Sequence, residues 1–290
     1  MSSARMLLFF ALAVGCGNAR REAVPARQES PPAEVTHPAP PASELIWEGE
    51  SAGFHIRWTT SDVLVTQPAR GEVFSVAREV RAELEAELAA LKAGGGSDWV
   101  QGTCNRGSSV VLLSVVGSLL SYREERSTTC PWQAHDFEET FYRTRDLTNG
   151  TNASLSSLFP AADVFSALRR DKLVMAALKD GSERPRRLSE LVGALAPVYT
   201  DTQCFSFPDD VLTRFAFHHL EQDKIAVRIG LPGAGLCRTN LTQLGLLLPV
   251  PPSLREALGK AAELREGWLA SSLQSIAKGR GTGLSMDATP

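Results

Sequence analysis

Between Gly17 and Ser43 the chain runs through Pro25, Pro31, Pro32, Pro38, Pro40 and Pro41, interleaved with Ala, Glu and Arg and almost without bulky apolar residues. A stretch of that composition cannot bury enough surface to offset its ordering entropy. It is expected to form a disordered, semi-extended tether, with His37 solvated inside it. Any core must therefore be built from Glu44 onward. The remaining length is enough for one sizeable domain or two small ones.

The segment before the tether explains why a domain would be held on a leash. Arg5 is followed by the apolar run Met6 to Val14 and then by Gly15 and Cys16. This is the layout of a secretory signal, and the run is too short to span a bilayer as a helix. Leu12, Ala13, Val14, Gly15 and Cys16 resemble a bacterial lipobox, in which the cysteine thiol is diacylated and the chain is cut before it. Residues 1–15 are then the signal peptide and Cys16 the lipidation site. An ordinary signal peptide cleaved near Ala19 is the alternative. Two acyl chains suffice for stable anchoring, since each buried methylene contributes about 0.8 kcal/mol. Gly17 stands where an aspartate often retains lipoproteins at the inner membrane, so the resemblance implies the outer membrane, facing the periplasm.

Cysteine usage agrees with an oxidising compartment. Besides Cys16 the chain holds Cys104, Cys130, Cys204 and Cys237, an even set for which three pairings exist. Cys104 with Cys130 and Cys204 with Cys237 is the favoured pairing, because each pair brackets one group of expected strands. A zinc site competes, but neither C-x-x-C nor H-x-x-x-H spacing occurs. No metal or other cofactor is expected.

Net charge is −3, with both signs interspersed. The one dense basic cluster is Arg184, Arg186 and Arg187 around Pro185, which reads as a solvated loop, so nucleic-acid binding is not expected.

Alternation between Leu45 and Val65 suggests a first pair of strands, with Phe54, Ile56 and Trp58 on one face and turns near Gly53 and Asp62. From Arg70 to Lys92, Phe74, Ala77, Val80, Leu84, Leu88 and Leu91 recur at helical spacing, and Gly94, Gly95 and Gly96 stop the helix. Ser108 to Glu124 reads as two strands, or one bent strand, interrupted at Gly117; Phe137 to Arg145 as another, followed by a turn at Asp146 to Gly150. Ser154 to Leu158 opens a helical stretch. Asp163 is the expected N-cap of a helix over Val164 to Lys179, and a short helix follows at Leu188 to Ala196. Strands return at Cys204 to Phe207, Thr213 to His219 and Lys224 to Leu231, and a long helix is expected from Pro251 to about Lys278. Strands and helices come in blocks without βαβ alternation. The expected fold is α+β, with a largely antiparallel sheet and helices packed on one side, as a single domain over 44–290.

Residues 115–159 and 204–231 together carry a family resemblance. A strand ends in Ser121 and Tyr122, and the pair Ala134 and His135 precedes the next strand. Then come Asp146, Leu147, Thr148, Asn149 and Gly150, leading to Leu155, Leu158 and Phe159. This order resembles a domain of unknown function found in bacterial envelope proteins. Among its bearers are the extracytoplasmic part of a lysozyme-sensing anti-sigma factor and the accessory domain of some peptidoglycan deacetylases. Trp132, Gln133 and Asp136 flank Ala134 and His135 where the family usually has Gly-Gly and Pro. The resemblance implies a binding or sensing domain whose partner is a lysozyme-like protein or peptidoglycan. It marks His135 as a ligand-site candidate; a histidine hydrogen-bonded at a turn is the alternative.

Catalytic signatures are not found. Ser114, Ser118 and Ser121 lie in apolar strand sequence without a G-x-S-x-G elbow. His218 and His219 are adjacent, so in a regular strand they point to opposite faces and cannot easily share a metal. Glu138 with Glu139, and Asp209 with Asp210, are neighbours rather than the opposed carboxylates of a glycosidase. Gly230, Gly233 and Gly235, with Pro232 and Cys237, fit a turn near a disulfide better than a phosphate-cradling loop. The expected function is a membrane-anchored, non-enzymatic binding or sensing lipoprotein. A cell-wall hydrolase or accessory cell-wall enzyme is the second reading. A structural component of an envelope assembly is the third, for which an exposed apolar patch around Leu264, Trp268 and Leu269 would speak.

Overall fold

The computed structural model describes residues 43–93, 105–129, 137–178, 185–195, 199–200, 205–232, 243–269 and 282–287. All belong to one compact unit, Ala42–Pro290.

Strands β1 (Leu45–Ser51), β2 (Phe54–Thr59), β3 (Val63–Gln67) and β4 (Gly71–Ser75) form an antiparallel meander. Helix α1 (Val76–Ala93) follows directly. The apolar residues from Phe74 to Leu91 suggested one helix, but Phe74 belongs to β4, paired with Val65. Asp62 sets the boundary. Its carboxylate accepts from Ser75 Oγ at 2.6 Å and from the Ala77 N–H at 2.9 Å, while Ser75 Oγ accepts from the Arg78 N–H at 3.1 Å. These bonds satisfy donors that a helix N-terminus leaves open.

Strands β5 (Asn105–Val116) and β6 (Leu119–Thr129) pair antiparallel and turn at Gly117 with φ +58°, so of the two readings left open, two strands or one bent strand, the structure has two strands. Then come β7 (Phe137–Asp146) and the short β8 (Thr151–Asn152). The turn between them is built on Asp146, whose carboxylate accepts from the Thr148 N–H, Asn149 Nδ2 and Ser118 Oγ. Helices α2 (Leu155–Leu158), α3 (Ala161–Leu168), α4 (Lys172–Ala177) and α5 (Leu188–Leu195) follow. The single helix expected over Val164 to Lys179 is therefore two. Asp171 takes an N-cap position, its side chain accepting from the Leu173 and Val174 N–H groups. Pro160, not Asp163, stands at the N-cap of α3.

Strands β9 (Tyr199–Thr200) and β10 (Phe205–Ser206) pair with each other. Strands β11 (Phe215–Glu221), β12 (Lys224–Gly230) and β13 (Gln243–Pro249) form a second meander. Helix α6 spans only Pro252–Ala262, and the chain then turns into β14 (Trp268–Leu269). The long C-terminal helix expected to Lys278 is thus cut short. Leu264 and Gly267 adopt φ of +56° and +77°, which no helix continues through. Any Cβ at position 267 would collide with the Val115 carbonyl oxygen, so only glycine fits. Strand β15 (Thr282–Asp287) closes the described chain.

The central sheet has the order β14-β5-β6-β7-β8, with β15 also pairing β5. All described pairings are antiparallel. The fold is α+β, as the blockwise order implied. The central sheet separates two cores because alternate residues of a strand face opposite ways. Leu120 and Tyr122 join Ile56, Trp58, Val76, Val80 and Leu84 on one side. Leu119 joins Leu155, Leu168, Leu191, Phe215, Phe217 and Leu258 on the other. A bulge at Leu113 switches the parity of β5, so Val110, Leu112 and Val115 all reach the first core. Helix α1 therefore lies in one core and α3 to α6 in the other, rather than all helices on one side. Trp47 and Trp58 approach Trp268 with ring centroids 6.1 and 6.3 Å apart, pinning β14 to the first core.

Candidate functional site

Two polar constellations flank the central sheet. The first lies under α1. Glu124, fully buried on β6, pairs with Arg126, and Arg126 reaches Glu83 and Glu87 of the helix, the latter at 2.7 Å. Arg143 of β7 grips Glu83 through both terminal nitrogens at 2.6 Å, and Arg145 reaches Glu79 at 3.1 Å. Phe141 carries the Arg126 guanidinium over its ring at 4.6 Å. Burial raises the Glu79 carboxyl above its ordinary range against the pull of Arg145 and Arg143. For Arg126, burial opposes the charge, and hydrogen bonding and attraction to Glu124 outweigh it. Each guanidinium here already has a carboxylate. The lattice fastens α1 to the sheet.

The second constellation forms where β11 meets the opposite face of the central sheet. The buried Ser121 and Thr144 hydroxyls hydrogen-bond each other at 2.8 Å. Ser121 Oγ accepts from the Phe217 N–H and the Thr144 hydroxyl donates to the Phe215 carbonyl. Ser121 is thus a structural bracket, and Ser118 is engaged with Asp146. Just beyond the bracket the register of β11 on β12 shifts: Phe217 faces Val227, but His219 faces Ala226. His218 is the extra residue of a β-bulge. Two residues then oppose one, and their side chains no longer alternate cleanly. The expectation that His218 and His219 point apart is therefore overturned. Their Nδ1 atoms are 2.7 Å apart, with the rings nearly perpendicular at 81°.

Arg228 of β12 and Arg123 of β6 act on the charge of His218, and Tyr142 of β7 is the register partner of Arg123. Arg228 sits between Ala216 and Gly245 in the strand register, and its guanidinium lies over Gly245, where a Cβ would be 2.9 Å from Nη1. Tyr142 donates to Gln243 Oε1 at 2.6 Å, and its ring lies against Gly230. Arg123 pairs with Glu125 at 3.1 Å, yet its buried Nε has no hydrogen-bond partner among the described residues. Arg228 has no ion pair among them. Burial lowers the His218 pKa to about 4, helped by Arg228, His219 and Arg123. The arrangement offers hydrogen-bond donors and positive charge, and it repels a metal cation.

Cys16, Cys104, Cys130, Cys204, Cys237, His37 and His135 lie outside the described residues. Asn105 and Thr129 are register partners at the ends of β5 and β6, and Cys104 and Cys130 are their immediate chain neighbours. Of the acidic neighbours, Asp210 is engaged by Arg214 Nε at 2.7 Å. Among the described residues, no group of three or more His, Cys, Asp or Glu side chains could hold a metal ion. No helix among them is long and apolar enough to cross a membrane. The motif residues of the resemblance do structural work: Tyr122, Leu155 and Phe159 are core residues, and Asp146 organises its turn. The histidine–arginine constellation escaped sequence reasoning because its members come from three strands, β6, β11 and β12. The one local signal was the His-His pair itself.

No family model matches the chain, and no curated protein matches it significantly.

Proposed function

We propose that the chain is a lipid-anchored lipoprotein of the bacterial cell envelope, facing the periplasm from the outer membrane. Its α+β domain is a non-enzymatic binding or sensing module for an envelope protein or a cell-wall ligand. The observation that carries this reading is the order of parts: a lipobox-like Leu12 to Cys16, a proline-rich stretch, and a compact unit that begins at Ala42. The resemblance around Ser121 to Phe159 adds a lysozyme-like protein or peptidoglycan as the partner class.

The hydrolase reading stands second. It asks for a carboxylate beside His135 or His218, and His218 instead hydrogen-bonds His219 among arginines. The assembly reading asks for an exposed apolar patch at the C-terminal helix. Only Leu264 is exposed; Leu269 is buried and Trp268 packs on Trp47 and Trp58.

The test is metabolic labelling with a tagged fatty acid followed by membrane fractionation. The wild type should carry label and sediment with membranes. Cys16→Ala should lose the label and become soluble, and a variant that still sediments would overturn the anchor. Titration with lysozyme and with peptidoglycan fragments then tests the partner class.

A further inference from the structure

We propose that the bulge at His218 builds a binding site for a tetrahedral oxyanion of the phosphate class. Arg228, Arg123 and the His218–His219 pair would be its donors. The inference gives the binding module a ligand chemistry, and it stands independently of the lipid anchor.

Charge makes the first argument. The charged groups that act on His218 are Arg228 of β12, His219 of β11 and Arg123 of β6; Glu125 is the partner of Arg123, Tyr142 neighbours Arg123 and Arg228, and Glu221 pairs with Lys224 in the strand register, two positions beyond His219. Two guanidiniums face one carboxylate, and Glu125 is itself half-exposed. In the lattice under α1 the same residue types are matched nearly one to one, so the surplus here is local. Arg123 Nε lacks a hydrogen-bond partner, as Arg143 Nε and Arg145 Nε do in the lattice; what is particular to this site is Arg228, a partly buried cation without an ion pair among the described residues, and such a cation calls for an acceptor. Guanidinium is the group best suited to a planar or tetrahedral oxyanion.

Space at Arg228 makes the second. In the strand register Arg228 faces only Ala216 and Gly245, while Ala216 and Gly230 are packed against Tyr142 of the central sheet. With no larger side chain across from it, Arg228 is not packed away, and Gly245 leaves room for its guanidinium.

The histidine pair makes the third. With one hydrogen between the two Nδ1 atoms, the neutral pair carries one Nε2–H donor and one Nε2 lone pair. Adding a single proton to that lone pair converts it into two Nε2–H donors with one positive charge. That state is costly beside Arg228 and Arg123 until an anion supplies the counter-charge. Anion binding and proton uptake are therefore linked, each favouring the other. A metal cation would have to displace the shared hydrogen and enter between two guanidiniums. A general base would need an orienting carboxylate where His219 sits.

The test is isothermal titration of the full chain in nonionic detergent with sulfate, whose charge does not change between pH 5.5 and 8. Saturable binding at pH 5.5, at least about tenfold tighter than at pH 8, is the expected result. Repeating the titration in buffers of different ionisation heat should show proton uptake approaching one per sulfate. Arg228→Gln should weaken binding about tenfold or more. Arg187→Gln, an exposed change elsewhere, should leave it intact. Absence of saturable binding into the millimolar range at pH 5.5, or binding without proton uptake, overturns the proposal without any variant having to fold. Wild-type affinity in a folded Arg228→Gln protein overturns it as well. Inorganic phosphate and glycerol phosphate then distinguish the source: equal affinity marks a free anion, and tighter binding of the ester marks a phosphate carried on a headgroup or polymer. Membrane attachment of Cys16→Ala is read in a separate experiment, so failure of one reading is not confused with failure of the other.

Discussion

His218 is a base that the fold prefers to keep neutral. Burial, then Arg228, His219 and Arg123, hold its pKa near 4, whereas in the unfolded chain it titrates near the ordinary histidine value of about 6.5. Between those pH values the unfolded state holds more protons, so stability rises with pH across this window. The contribution is complete above about pH 6.5 and is lost as pH falls through about 4. In thermal melts without added oxyanion, the wild type should lose more stability between pH 6.5 and 4 than His218→Gln does. Parallel losses in the two proteins would contradict the assignment. None of this is legible in the sequence, because the bulge is a property of the register between β11 and β12. Adjacent histidines in a regular strand point apart, and only the shift between Phe217 and His219 brings them together.

At the scale of elements, α1 is held by charge as well as by Val76, Val80 and Leu84. Removing one member of a buried ion pair strands the other and costs about 3–5 kcal/mol. Arg126 keeps Glu83 and Glu87 when Glu124 is lost. Glu124→Ala should therefore destabilise by about 3 kcal/mol in urea unfolding, the low end of that range. The double change Glu124→Leu with Arg126→Met should recover part of the loss. A loss below about 1 kcal/mol in the single variant would show that the apolar stripe alone docks the helix. Gly117 marked a break between two β-rich runs but left open whether the chain turns back or one strand bends, whereas the turn at Asp146 to Gly150 was readable because its residues are turn formers. The split between α3 and α4 was not. Apolar spacing continues across the junction, and only the side-chain bonds of Asp171 disclose a new helix start.

For the whole molecule, the sequence disclosed a mixed α+β fold with antiparallel strands, but not which face each helix takes. That choice follows from the side to which Leu119 and Leu120 fall once the central sheet exists. The expected pairing of Cys104 with Cys130 would join the chain neighbours of Asn105 and Thr129, which are register partners at the ends of β5 and β6. Peptide mapping without reductant should recover Cys104 joined to Cys130, and a Cys104–Cys204 peptide in its place would refute the pairing. Such a bridge should contribute about 3 kcal/mol.

Both β14 and β15 pair with β5, on the edge that β6 does not use. A chain made from its amino end cannot finish that edge until position 287 has been synthesised, about 170 residues after the strand it completes. Until then one side of β5 offers unpaired backbone groups to any strand nearby. The nascent protein therefore carries a long interval of exposure, and any factor that keeps it from aggregating must act on β5 throughout that interval.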